Sequence, residues 1–173
     1  MSSPSRDQKE RAEKIELLEA VASKVYEIID AERLRSLTSQ PDSDEAVLLE
    51  LYHLATLVYT NRILEDISGL PRNLDTILDR SFELLSQIEY CPRFFLLFIL
   101  GTEARTDERR KLMFDLIIRT ERRAKVGKMV CLRFGLRTAW VQDDLHADDE
   151  VVLKYTHKIS AVCSAGRTLP SVV

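Results

Sequence analysis

Glycine and proline are scarce in this chain, five of each in 173 residues. Turn-rich sheets and biased linkers need more of both, so the composition argues for helices joined by short breaks. The three cysteines, Cys91, Cys131 and Cys163, are odd in number and widely spaced, which suits reduced thiols better than a disulfide framework. Histidine occurs only at His53, His146 and His157, none at zinc-ligand spacing from a cysteine or another histidine. No metal and no cofactor is expected. The longest apolar run, Phe94 to Leu100, is far below the roughly 20 residues that cross a bilayer. No apolar stretch follows Met1 closely, so neither a membrane span nor a secretory leader is expected. A net charge of −3 lacks the basic excess with which proteins engage a phosphate backbone, and direct nucleic-acid binding is not expected. Gly-x-Ser-x-Gly, Gly-rich phosphate loops and cysteines beside an evident base are all missing, which argues against an enzyme.

What the chain does contain is helical periodicity. Ile15, Leu18, Ala22, Val25 and Ile29 recur at steps of three and four, predicting an amphipathic helix from about residue 7 to 37. Pro41 and its polar neighbours break it. A second helix from Asp44 to Ile67 carries Val47, Leu48, Leu51, Leu54, Ala55, Val58 and Ile63, and stops at Ser68-Gly69-Leu70-Pro71, where glycine supplies a left-handed cap. Asn73 is placed to cap a third helix, and Cys91-Pro92 opens a fourth. Thr106-Asp107-Glu108 starts a fifth, with acidic residues at its positive end. Val126-Gly127-Lys128 interrupts before two more candidates, Met129 to Val141 and Asp148 to about Cys163. The expectation is an all-α, irregular bundle of six or seven amphipathic helices, a flexible leader over 1–12, one domain over 13–165 and a loose tail over 166–173.

Several features admit more than one reading. Gly101 either lets another backbone approach or simply ends the apolar helix, and the second needs fewer assumptions. Trp140, the only tryptophan, stands at helical spacing from Leu132 and Leu136 and reads as a core anchor before an interface hot spot. Arg119, Arg122, Arg123, Lys125 and Lys128 fit a solvated helix face more simply than a nuclear-import patch, since Glu121 interrupts them. The stretch Asp143 to Glu150 around His146 lacks the glycine and spaced ligands of a calcium loop and reads as a solvated helix start.

Three blocks carry a family resemblance. The first is Leu51-Tyr52-His53-Leu54-Ala55-Thr56-Leu57-Val58-Tyr59-Thr60-Asn61-Arg62 followed by Gly69-Leu70-Pro71. The second runs from Phe95 through Phe98, Gly101 and Glu103 to Ala104, with Arg109 shortly after. The third is Leu136-Arg137-Thr138-Ala139-Trp140-Val141-Gln142-Asp143. In order and spacing, over roughly residues 45 to 145, these resemble the fungal-specific transcription factor domain that lies C-terminal to a zinc binuclear-cluster DNA-binding module. Phe95 and Leu96 stand where the family has Trp-Pro, and the six cysteines of the zinc cluster are absent.

The resemblance implies a nuclear regulatory domain, with the cytosol as the other compartment that reduced thiols allow. It implies action through a protein partner or self-association and no direct DNA contact by this chain. Tyr59, Arg62, Phe98, Gly101, Glu103, Arg109 and Trp140 are the signature positions it singles out, in structural or interaction roles. A stand-alone helical interaction scaffold and a small-molecule-sensing helical domain are the alternatives, and no ligand is specified.

Overall fold

Seven helices and no strand are present among residues 6–36, 44–124, 128–145 and 154–165, which the computed structural model describes. They are α1 (Arg6–Ser36), α2 (Asp44–Ser68), α3 (Asp75–Gln87), α4 (Phe94–Thr102), α5 (Asp107–Ala124), α6 (Lys128–Leu145) and α7 (Tyr155–Ala165). This is the all-α architecture that the apolar spacing predicts. The expected interruption at Val126-Gly127, the acidic residues 146–150 and the tail from 166 lie outside the described residues. The chain divides into two compact units, Met1–Leu74 and Asp75–Val173.

In the first unit α1 packs on α2. Ala22 and Ile29 are the buried centre of the α1 stripe, while Ile15, Leu18 and Val25 are half-buried along it. Leu51, Leu54, Ala55 and Val58, spaced at three and four, are buried on α2. The stop signal after α2 works as its residues dictate. Gly69 adopts φ 74°, the left-handed conformation that glycine reaches without steric cost, and its amide donates to the Glu65 carbonyl at 2.8 Å. Arg11, near the start of α1, donates to the Ile67 carbonyl at 2.6 Å and so complements the negative end of α2.

The second unit is built around α4. Every residue from Leu96 to Thr102 is buried, so this short helix has no polar face, and α5 and α6 both pack against it. Leu96, Leu97, Ile99 and Leu100 are essentially inaccessible, each burial stabilising the fold by about 1.5–3 kcal/mol. α3 packs on α5 through a face that buries Leu78, Phe82 and Leu85, and α7 packs on α6. Thr106 opens α5 as anticipated, its hydroxyl accepting the Arg109 amide at 3.3 Å. Thr120 on α5 accepts the Cys91 amide at 3.1 Å, which fixes the entry to α4.

Candidate functional site

A helix ends with carbonyl groups that its own amides cannot reach, and at the end of α4 those groups are buried. Two of them are closed locally, because the amides of Glu103 and Ala104 turn back to the carbonyls of Leu100 and Gly101 at 3.1 and 3.2 Å. Three more bonds come from three other helices. Trp140 Nε1 on α6 donates to the Gly101 carbonyl at 2.9 Å, Lys158 Nζ on α7 to the Thr102 carbonyl at 2.8 Å, and Arg110 Nε on α5 to the Ala104 carbonyl at 3.1 Å. Lys158 and Arg110 spare the Thr102 and Ala104 carbonyls the roughly 1–3 kcal/mol that an orphaned buried carbonyl costs, and Trp140 adds a second bond to the Gly101 carbonyl that the Ala104 amide already meets, three side-chain donors in all. Two of them are cations at the negative end of a helix, the arrangement that its macrodipole favours.

The cations are themselves balanced. The Arg110 guanidinium meets Asp144 through two bonds of 2.8 and 2.7 Å and lies 5.7 Å from the centroid of the Trp140 ring. Its hydrogen bond holds the Asp144 carboxyl below the ordinary carboxylate range, and Asp144 in turn raises Arg110. Lys158 pairs with Asp143. The first two carboxylates of the acidic stretch are thus each paired with a cation of the fold, Asp144 while remaining largely exposed. The Thr102 hydroxyl donates to the Ile99 carbonyl at 2.8 Å and lies 3.4 Å from the Tyr155 hydroxyl, a further tie to α7.

Two glycines set the spacing. A Cβ on Gly101 falls 2.6 Å from Leu136 Cδ1, so the missing side chain lets α6 approach. Gly101 lies one residue before α4 ends at Thr102, and the approach it allows is that of the Leu136 side chain, not of a backbone. Gly135 is tighter, since a Cβ there falls 2.5 Å from Val162 Cγ1 and 2.9 Å from the Val162 carbonyl oxygen. Sequence reasoning passed over Gly135, although a glycine inside a helical pattern is a signal of close approach.

The signature residues separate into three groups. Gly101, Glu103 and Trp140 converge at the end of α4, where Glu103 is the C-cap and only 3% exposed, and Trp140 is buried beneath Arg110. Phe98 lies one turn earlier, its ring stacked on Phe94 at 6.0 Å. Arg109 points elsewhere, over the Phe82 ring at 4.6 Å and onto Asp79, joining α5 to α3. In the first unit, Arg62 holds Glu65 at 2.7 Å, and Glu65 accepts the Arg72 amide across the Leu70-Pro71 turn. Arg72 also reaches Asn61 and Glu19, at 3.3 and 3.0 Å, and Tyr59 is exposed on α2. Arg110 and Lys158 carry no sequence signal, because single charges on helices read as solvated, and Asp144 reads only as part of the acidic stretch. Among the described residues no cluster of His, Cys, Asp or Glu is arranged to hold a metal ion.

Residues 2–162 match the fungal specific transcription factor domain. The chain belongs to that family. The match is wider than the 45 to 145 stretch that carries the sequence resemblance, and it takes in α1 and most of α7. The chain is also 34% identical over 142 residues to the transcription factor iacI of Pestalotiopsis fici, an alignment covering 82% of this chain and 36% of that protein. The chain thus corresponds to about a third of this relative's length. No solved structure matches it. In this fungal-specific transcription factor domain, the signature positions Gly101, Glu103 and Trp140 meet at one helix end. The role the family supports is transcription regulation.

Proposed function

We propose that the chain is the regulatory domain of a nuclear transcription factor, acting through protein contacts, making no DNA contact of its own and catalysing no reaction. The family match over residues 2–162 carries this reading. The geometry agrees with it in physical terms. Polar groups at the centre of the second unit are committed to tying α5, α6 and α7 to α4, which makes a rigid body and leaves the outer faces to act. Exposed apolar side chains stand at helical spacing in each unit by itself, Leu17, Val21 and Ile28 on α1 of the first and Phe134, Val141 and Leu145 on α6 of the second.

Tethering the chain to a heterologous DNA-binding module upstream of a reporter tests the proposal. Transcription is expected to change in one direction or the other. No change, with the fusion folded and nuclear, contradicts the regulatory role.

A further inference from the structure

The outer face of α6 combines three properties: exposed apolar side chains in register, an open cleft and uncompensated positive charge. Phe134, Val141 and Leu145 are 45%, 57% and 72% exposed, respectively, and their spacing of seven and four keeps them on one stripe about 16 Å long. Beside Phe134, Phe114 of α5 floors a cleft of about 300 Å³ whose remaining walls are Arg133 and Arg137. Both guanidinium groups lie over the same Phe114 ring, 5.9 and 5.8 Å from its centroid. One carboxylate answers them, since Glu121 approaches Arg133 at 3.6 Å and Arg137 makes no ion pair among the described residues. Two cations held on an apolar floor against a single anion leave a site that favours an incoming carboxylate flanked by apolar groups.

We propose that this face docks an acidic amphipathic segment of a protein partner. A carboxylate of that segment inserts at Arg137 and Arg133 above Phe114, and its apolar side chains lie along Phe134, Val141 and Leu145. The length of the stripe matches about three turns of a partner helix, which reads such a face through anchors spaced at three, four and seven. A small aryl carboxylate suits the cleft's chemistry less well, because small ligands are mostly enclosed by their sites and this cleft opens onto a half-exposed phenylalanine. The inference deepens the proposed regulatory role and rests on it.

The probe is a fluorescent synthetic helix of about 18 residues with leucines on one face and Glu and Asp along their flanks, set beside a counterpart in which every acid is lysine. Anisotropy titration against the full chain is expected to show binding of the acidic peptide alone, with amide shifts concentrated on α6. Arg137→Glu is expected to weaken binding about tenfold, and added salt to weaken it further. Phe134→Ala is expected to weaken it as well. Both side chains are exposed, so melting temperature and far-UV dichroism of the variants should match the parent and serve as controls. Equal binding of the two peptides, no binding, insensitivity to both substitutions, or occupation of the cleft by benzoate without peptide binding each overturns the proposal. In the tethered reporter, a parent chain that changes transcription while both variants retain its full effect overturns this surface and leaves the regulatory role intact. A parent chain without effect overturns the role itself.

Discussion

Trp140 and Gly101, 39 positions apart, are joined by a single hydrogen bond of 2.9 Å from the indole Nε1 to the backbone carbonyl, and around it the second unit is organised. The bond explains why this position needs an aromatic ring with a donor. Trp140→Phe retains most of the apolar contact and leaves the buried carbonyl with the Ala104 amide alone, so only the net worth of one hydrogen bond is lost, about 0.5–1.5 kcal/mol in urea unfolding followed by circular dichroism. A loss close to zero contradicts the assignment.

Gly135→Ala is expected to release α7. Alanine is the better helix former by about 1 kcal/mol, so an exposed glycine here would give a more stable protein on substitution. The added Cβ instead meets the Val162 backbone, which has no side-chain freedom with which to yield. Hydrogen exchange should show α7 opening faster while α4 and α5 keep their protection.

The pairing of Asp144 with Arg110 gives stability a defined pH dependence. The folded carboxyl titrates below its ordinary value of 3.8, so its stabilising contribution is complete above that pH and disappears as pH falls through the lower folded value. Asp144→Asn should lower stability at neutral pH and flatten the acid limb below about pH 4, as read from thermal midpoints measured across that range.

Burial pushes the Cys91 thiol up to about 11, against a small lowering by Arg93. At neutral pH it is therefore almost wholly protonated and inaccessible. In thiol titration of the native protein, Cys91 should stay unmodified while the half-exposed Cys131 reacts, and Cys91 should react only once denaturant unfolds the chain.

Helices were legible because their signals are local. The three-four spacing of Leu51, Leu54, Ala55 and Val58, and the Gly69 stop, each express backbone geometry within a few residues. The continuous apolar run from Phe94 marks, for the same reason, a helix buried at every residue from Leu96 to its end. The contacts at its end were not legible, because Arg110, Trp140 and Lys158 come from three helices and nothing local distinguishes a lysine bonded to a buried carbonyl from one in water. Gly101 shows the boundary between the two. Its sequence position marks the helix end, and only the 2.6 Å from an added Cβ to Leu136 Cδ1 shows how closely α6 packs there.

Regulation of transcription through the outer faces of these helices is what everything proposed above depends on. The most direct measurement is reporter output from the chain fused to a foreign DNA-binding module, compared with that module alone. A clear rise or fall is expected, one that Arg137→Glu diminishes without altering the fold. Output indistinguishable from the bare module, in cells where the fusion is folded and nuclear, contradicts it.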